Sequence, residues 1–290
     1  MKGFNRHEDY GTFGCAVPES AMHHDLEIIR STGANLIRSC HYPNDQRFLD
    51  LCDEYGMLVW EEAHARGLNL KRMENPNFRR QSEVCIAEMV EAHYNHPAIV
   101  FWGILNECAS ETEYGRDCYA LQYAQLRSLD KTRLLTSATC KHFGDLTYGM
   151  PDVVSLNVYP KWYEGSTPTS FFMRVKAYLD EHGGAGTPIL ISECGAGAVY
   201  GYRAFSEVKW SEDYQAKLLA ELIEAYTTRD DISGIILWQY ADCRVDEEWF
   251  ANRPKTQNNK GIVDMYRRPK MGYYTVRDAF TKLDNYRGEK

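Results

Sequence analysis

Two glutamates of this sequence stand directly after apolar runs with the character of buried strands. Glu107 follows the run 99–105 and the amide Asn106, and Glu193 follows the run 188–192. A buried carboxylate is costly unless it is paired or hydrogen-bonded, so its position needs an explanation. Two facing carboxylates can cleave a glycosidic bond, as acid and nucleophile, when their oxygens stand about 5 Å apart. We therefore expect a hydrolytic site if the fold brings Glu107 and Glu193 together.

The segments that must position these side chains alternate between strands and helices. Eight short apolar runs are separated by amphipathic stretches, which is typical of parallel strands covered by helices. This pattern predicts an α/β fold, a (β/α)8 TIM barrel that forms one domain over residues 1–290. A doubly wound sheet is the alternative, but no glycine-rich phosphate-binding sequence follows the first strand. The predicted strands are GFNRH 3–7, ANLIRSC 34–40, MLVWEEA 57–63, IVFWGIL 99–105, RLLTSAT 133–139, VVSLNVY 153–159, PILISE 188–193 and SGIILWQY 233–240.

Proline and glycine mark the predicted ends of the first helices. Pro18 stands at the expected first position of a helix that Gly33 ends, and Gly56 ends the next helix in the same way. The stretch after the fifth strand, 140–152, is too short for a full helix. Residues 241–269 form the longest irregular stretch, and long loops are often functional.

In a TIM barrel the functional side chains collect at the carboxyl ends of the strands, because these ends open into one mouth. Polar or aromatic residues stand there for every predicted strand except the fifth. Any one of them could instead be a core residue, a helix cap or a salt-bridge partner, so only their concentration indicates a site. They are His7, Arg38, His41, Glu61, Glu62, Asn106, Glu107, Asn157, Tyr159, Glu193, Trp238 and Asp242.

The composition argues against several classes of function. The net charge is −8 and no basic cluster occurs, so we expect no nucleic-acid partner. No apolar run approaches the roughly 18 residues of a membrane helix, and the amino terminus lacks the apolar core of a signal peptide. The nine cysteines are scattered and include no CxxC pair, which favours free thiols in a reducing cytoplasm over a disulfide framework.

Six short motifs occur in order along the chain, each at a predicted strand end or in the loop that follows it. Together they resemble glycoside hydrolase family 2 and, within it, the β-glucuronidases. The resemblance extends from GFNRHED to the last predicted helix and so covers nearly the whole chain. The motifs are IRSCHYPN, WGILNE, LNVY, ISECGAG, ILWQYAD and NNKGIVDMYRRPK.

The resemblance implies a role for each matching residue. It makes Glu107 the general acid and base, with Asn106 as the neighbour that binds the sugar 2-hydroxyl. Glu193 would be the nucleophile of a retaining, two-step mechanism, and Tyr159 would donate a hydrogen bond to it. The remaining residues implied to surround the sugar ring are His7, Arg38, His41, Asn157 and Trp238.

Substrate choice depends on an Asn-x-Lys pair, Asn258 and Lys260, which resembles the motif that grips the C6 carboxylate in β-glucuronidases. An ammonium is physically suited to that contact. The resemblance therefore implies a β-glucuronidase acting on a carbohydrate or glucuronide substrate. A family 2 β-galactosidase, a β-galacturonidase and a carbohydrate-binding barrel without turnover are the alternatives.

Two further expectations concern what accompanies the barrel. Galactosidases of the family carry a magnesium site after the third strand, where this chain has Arg66 in place of a glutamate ligand. A cation is a poor metal ligand, so we predict no metal and no cofactor. Family members also carry upstream β-sandwich domains, which we expect to be missing from this chain, and a homo-oligomer is possible.

Overall fold

The computed structural model describes residues 1–246 and 253–288, with side chains through residue 283. Eight parallel strands pair in sequence order, and β8 pairs back with β1, so the sheet closes into a barrel. This confirms the predicted (β/α)8 TIM barrel. The strands are β1 Lys2–Arg6, β2 Leu36–Ser39, β3 Leu58–Glu62, β4 Ile99–Ile104, β5 Leu134–Thr139, β6 Val153–Asn157, β7 Ile189–Cys194 and β8 Gly234–Leu237.

Helices surround the barrel and connect its strands, with α3 and α4 both following β3. No helix connects β5 to β6, as the short length of residues 140–152 predicts. No described helix is both long enough and apolar enough to cross a membrane. The helices are α1 Glu19–Ser31, α2 Gln46–Tyr55, α3 Leu70–Met73, α4 Phe78–His93, α5 Glu113–Leu129, α6 Pro168–Leu179, α7 Glu212–Thr227 and α8 Met271–Gly288.

Some predicted boundaries differ from the observed ones. Pro18 is the N-cap of α1 and not its first helical residue, because its ψ of 154° is extended. Gly33 and Gly56 follow α1 and α2 with φ values of 80° and 66°, a left-handed conformation that glycine adopts without a Cβ clash. The predicted helix 170–184 ends in a π-helical turn over Asp180–Gly184.

The interior of the barrel is divided into an apolar floor and a polar layer above it. Arg38 marks the boundary, since its guanidinium lies 4.5 Å from the centre of the Trp60 ring. A charged group at this depth needs partners, so the layer above the floor must be hydrogen-bonded throughout. The buried apolar residues of the floor are Leu36, Trp60, Phe101, Ala138, Val153, Leu190 and Ile236.

A small antiparallel ribbon follows β8 and carries Asn258, which was predicted to bind the substrate together with Lys260. It consists of β9 (Cys243–Arg244) and β10 (Gln257–Asn258). Of the predicted functional loop 241–269, residues 247–252 lie outside the described residues. Gly261 is required by close packing, because a Cβ at this position would lie 2.3 Å from the Asp242 nitrogen.

Candidate active site

Arg38 is the centre of the polar layer inside the barrel. Its side chain is fully buried and donates to both oxygens of Glu62, at 2.9 and 3.1 Å. It also donates to Glu193 at 2.9 Å, to Asn106 at 2.8 Å and to Asn5 at 3.0 Å. Arg38 therefore lies beneath the cleft and fixes the groups above it, which differs from the cleft-lining position implied by the family resemblance.

The amide of Asn106 connects the two glutamates. Its oxygen accepts hydrogen bonds from Arg38 at 2.8 Å and from Asn157 at 3.1 Å. Asn157 also donates to Glu107 at 2.9 Å, while Arg38 donates to Glu193 at 2.9 Å. Glu107 and Glu193, which are 86 positions apart in the sequence, therefore belong to one hydrogen-bonded network.

The backbone at the end of β4 turns Glu107 into the mouth of the barrel. Leu105 and Glu107 have φ values of 22° and 53°, which are uncommon for residues with side chains and recur at functional sites. The Glu107 nitrogen donates to Ala138 on β5 at 2.9 Å, which holds this conformation. Asn106 is held in turn by backbone hydrogen bonds with Ala65 and Gly67, the loop after β3.

Glu193, at the end of β7, receives two donors. Tyr159 donates to one of its oxygens at 2.8 Å and Arg38 to the other at 2.9 Å. Burial and the neighbouring Glu107 carboxylate raise the pKa of Glu193 to about 8, while Arg38 and Tyr159 favour its ionised form. Glu193 is therefore a buried carboxylate whose anion depends on these two donors.

Aromatic rings form one wall beside the glutamates. His41 stacks on Trp238 with ring centres 5.1 Å apart and an interplanar angle of 15°. His7 meets the same indole edge-on at 5.5 Å. The Nδ1 atom of His41 lies 2.7 Å from a Glu62 oxygen, which connects this wall to the network around Arg38.

Lys260 lies in a pocket of aromatic rings. Only 4% of the residue is exposed, and its ammonium donates to the Tyr163 hydroxyl at 2.8 Å. The ammonium lies 4.9 to 5.4 Å from the ring centres of Tyr163, Tyr159 and Trp162. Lys260 forms no ion pair among the described residues. Burial and the nearby Arg253 lower the pKa of Lys260 to about 7.

Asn258 joins the lysine pocket to the aromatic wall. In the amide orientation that satisfies both ends of the group, its oxygen accepts from Trp238 at 3.0 Å and from Arg253 at 2.8 Å. Its backbone oxygen accepts from the Gln239 side chain at 3.1 Å. The Asn258–Lys260 segment is thereby fixed against the segment that directly follows β8 and carries Trp238.

Asp242 and Lys270 form the support behind this segment. The Lys270 ammonium is fully buried and donates to Asp242 at 2.7 Å and to the Asn259 backbone oxygen at 3.1 Å. Asp242 also accepts from the Gly261 nitrogen at 2.9 Å. Asp242 thus binds the loop from behind, and the expectation that it faces the mouth is wrong.

The predicted site residues all occur in this region, in one of two connected groups. The network of the glutamates contains Arg38, His41, Asn106, Glu107, Asn157, Tyr159 and Glu193, with His7 and Trp238 in the wall beside it. Asn258 and Lys260 form the second group, which meets the first at Trp238 and Tyr159. Arg66 is exposed, and its backbone bridges to Asn106.

Sequence reasoning missed several contacts. Asn5 donates to backbone oxygens of β7 and β8 and accepts from Arg38, yet its position within β1 gives no signal of this. Trp162 and Tyr163 follow Tyr159 at spacings of three and four residues, a pattern that could have indicated one aromatic cluster. Glu61 was grouped with Glu62, but it faces outward and binds His93 on α4 at 2.9 Å.

A closed TIM barrel with two glutamates in its mouth is the arrangement expected of a glycoside hydrolase. The sequence comparison agrees with this along nearly the whole chain. Residues 1–285 match the family described as "Glycosyl hydrolases family 2, TIM barrel domain". The chain belongs to glycoside hydrolase family 2.

Individual relatives that match the chain are a β-galacturonidase and β-glucuronidases. A family 2 β-galacturonidase from Eisenbergiella tayi, solved with bound galacturonate, is 54% identical with a TM-score of 0.95, over 97% of this chain and 50% of that chain. A β-glucuronidase from an uncultured Clostridium sp. is 28% identical with a TM-score of 0.90, over 97% and 50%. The β-glucuronidase of Sus scrofa is 30% identical over 98% of this chain and 44% of its own length. The chain thus spans about half the length of the relatives it matches.

Proposed function

We propose that this chain is the catalytic domain of a retaining glycosidase that removes a terminal β-linked uronic acid. The observation that carries the proposal is Lys260, a buried ammonium without an ion-pair partner among the described residues, which lies over the ring of Tyr159, the residue that donates to Glu193. Such a cation is costly until an anion reaches it. The C6 carboxylate of a uronic acid bound over Glu193 would supply that anion.

The contacts of the two glutamates support different roles for them. Arg38 and Tyr159 donate to Glu193 and favour its anion, which suits a nucleophile that attacks C1 of the sugar. Among the described side chains Glu107 receives a hydrogen bond only from the Asn157 amide and contacts no cation, which suits the role of general acid and base. Glu107 would protonate the leaving oxygen and then activate the water that hydrolyses the glycosyl intermediate.

The leading candidate for the sugar is β-galacturonate. The 54% identical structure is that of a β-galacturonidase with galacturonate bound. A β-glucuronide is the second candidate, favoured by relatives such as the Sus scrofa β-glucuronidase at 30% identity. The two sugars differ in the orientation of the C4 hydroxyl and share the C6 carboxylate, so Lys260 suits both.

A comparison of three aryl glycosides tests the proposal. We expect kcat/KM to fall in the order 4-nitrophenyl β-D-galacturonide, β-D-glucuronide, β-D-galactoside. A preference for the galactoside would reject the uronic acid assignment, and a preference for the glucuronide would reverse only the order of the two candidates. Calorimetric binding of galacturonate without release of nitrophenol from any substrate would instead indicate a binding barrel.

We also propose that the enzyme works in a reducing compartment as part of a longer protein. All nine cysteines are free thiols, which supports a reducing compartment such as the cytoplasm. The greater length of the relatives supports additional domains in the whole protein, among them the β-sandwiches expected for the family. Size-exclusion chromatography with light scattering would determine whether the protein forms a homo-oligomer.

A further inference from the structure

Three soft ligand atoms converge beside the catalytic glutamates. His7, Cys40 and His41 each contribute one, and these atoms lie within 4.8 Å of one another. Cys40 and His41 are buried, while His7 is half-buried. We infer that this His–Cys–His cluster (His7, Cys40 and His41) binds a soft divalent cation such as Zn²⁺, which inhibits the enzyme by occupying the sugar site.

The hydrogen bonds of the two imidazoles orient them for such a ligand. The Nδ1 atom of His7 lies 3.2 Å from the Tyr42 hydroxyl, and that of His41 lies 2.7 Å from a Glu62 oxygen. A proton on each Nδ1 leaves the Nε2 lone pairs available. A carboxylate behind a histidine is the usual support of a metal-ligating imidazole.

The identity of the ligand atoms selects the cation. A thiolate and two imidazoles favour Zn²⁺, Co²⁺ or Cd²⁺ over Mg²⁺ or Ca²⁺, which prefer oxygen. On binding, the Cys40 thiol releases its proton to solvent and a metal–sulfur bond replaces a metal–water bond, with no change of oxidation state. Three protein ligands leave a fourth position of the tetrahedron open.

Some charges around the cluster oppose the binding of a cation and others favour it. The guanidinium of Arg38 lies 3.4 Å from Nδ1 of His41 and opposes a second cation. The carboxylate of Glu62 contacts the same imidazole, and a Glu193 oxygen lies 3.9 Å from its Nε2 atom. The thiolate formed on binding adds a further negative charge, so the carboxylates and the thiolate together offset the arginine.

A cation in the cluster would interfere with the proposed reaction in two ways. It would place positive charge beside Glu193 and weaken it as a nucleophile, and it would block the wall formed by His7 and His41. The inhibition therefore rests on the proposed function, whereas binding of the cation does not. We expect inhibition to be competitive with the glycoside.

Cobalt titration tests the binding step without any turnover. The exposed Cys15 is first replaced by serine so that it cannot capture metal. In this C15S background we expect one equivalent of Co²⁺ to give a thiolate-to-cobalt charge-transfer band in the near ultraviolet. Cys40→Ser should remove the band and weaken binding more than about 100-fold, since even outer partners of a metal site contribute about 10–100-fold.

The matched control is Cys85→Ser, which removes a partly exposed thiol of α4. It should leave the cobalt band unchanged. If Cys40→Ser does not fold, His7→Gln should shift the band and weaken cobalt binding at least tenfold. A band that persists in Cys40→Ser, an unchanged cobalt affinity in His7→Gln, or the absence of any band in the parent would overturn the inference.

Zinc inhibition of aryl galacturonide hydrolysis tests the second step, with each variant normalised to its own metal-free rate. Zn²⁺ should raise KM and leave kcat unchanged in the C15S background, and Cys40→Ser should raise the inhibition constant more than about 100-fold, in line with the loss of binding. Equal inhibition of both proteins would overturn the inference. An inactive parent that still binds cobalt would refute the proposed function and leave the metal site in place.

Discussion

Arg38 and Lys260 are both buried cations of the same cleft, but their surroundings are opposite. Arg38 is paired with the carboxylates Glu62 and Glu193, and these contacts raise its pKa despite burial. Lys260 contacts a hydroxyl and aromatic rings, and burial lowers its pKa to about 7. Both side chains were assigned to substrate binding from the sequence, and their positions in the fold separate them.

The difference separates a cation that stabilises the site itself from a cation that is available to bind an anionic ligand. Arg38 has its negative charges within the protein, so it holds Glu193 and Asn106 in place whether or not substrate is present. Lys260 is stabilised mainly when a carboxylate arrives from outside. Removing the first should damage the site itself, and removing the second should damage only the recognition of anionic sugars.

The largest effect should follow from removing a carboxylate that Arg38 holds. Glu193→Ala should lower turnover of an aryl uronide more than about 10⁴-fold, in line with the loss of other enzymatic nucleophiles. Azide should restore release of the aglycone by attacking C1 and forming the glycosyl azide with inverted stereochemistry, which proton magnetic resonance of that product can follow. Substantial activity of the variant without azide would contradict the assignment of the nucleophile.

Stability measurements should separate the two cations next. Arg38→Met removes the cation that is paired with the buried carboxylates of Glu62 and Glu193 and should lower the free energy of unfolding by about 3–5 kcal/mol. Lys260→Met should change it by less than about 1 kcal/mol, or increase it, because no buried carboxylate that the structure describes loses a partner. Urea denaturation of both variants provides the comparison, and equal losses would show that Lys260 is a structural cation.

The stability difference for Lys260 also has a predictable pH dependence. The folded-state pKa of about 7 lies below the usual value of 10.5, so the unfolded chain binds more protons between these pH values. The stability of the parent should therefore rise with pH across this window. The advantage of Lys260→Met should be greatest below pH 7 and should shrink as the pH approaches 10.

Kinetics should show a smaller and selective effect. A charge-assisted contact contributes about 1.5–3 kcal/mol, so Lys260→Met should lower kcat/KM for the uronide about 10- to 100-fold. Any weak turnover of the neutral galactoside should remain. Equal losses on both substrates would reduce the assignment to a family 2 glycosidase of unspecified sugar.

The smallest effect concerns the pH dependence of ligand binding. Since Lys260 loses its proton near pH 7 in the free protein, galacturonate binding must restore it. Affinity for galacturonate should then fall by up to about tenfold per pH unit above 7. Galactose serves as the neutral control, because the titration of Glu193 affects both ligands, and calorimetry should find the steeper slope only for galacturonate.

The sequence predicted the barrel because the fold follows from local patterns, and the same patterns grouped the residues at its strand ends. Apolar runs alternate with amphipathic helices, and the carboxyl ends of the strands share one side, so Asn106, Glu107 and Glu193 could be grouped without coordinates. The side of the sheet to which each side chain points at a strand end was harder to predict. Glu61 and Glu62 are adjacent, yet alternation sends one toward α4 and the other into the barrel.

Contacts between loops that are far apart in the sequence could not be predicted from a local pattern. Nothing near Asp242 indicates that it binds Lys270 behind the loop, or that Tyr163 reaches Lys260 from a different strand connection. The isolated position of Cys40 in the sequence gives no sign of a partner, and only the fold places it beside His7. These pairings depend on how loops fold over the barrel mouth, and neighbouring letters of the sequence do not encode that.

The closure of the barrel between β1 and β8 has a consequence for synthesis of the protein. Gly3 and Phe4 pair with Ile236 and Leu237, so one edge of β1 has no barrel partner until β8 has left the ribosome. At about 5–20 residues per second, that delay is on the order of tens of seconds. Throughout it the nascent chain carries an open strand edge that can pair with other chains. Helper proteins that shield such edges should therefore affect the yield of this domain more than the yield of a fold completed from local contacts.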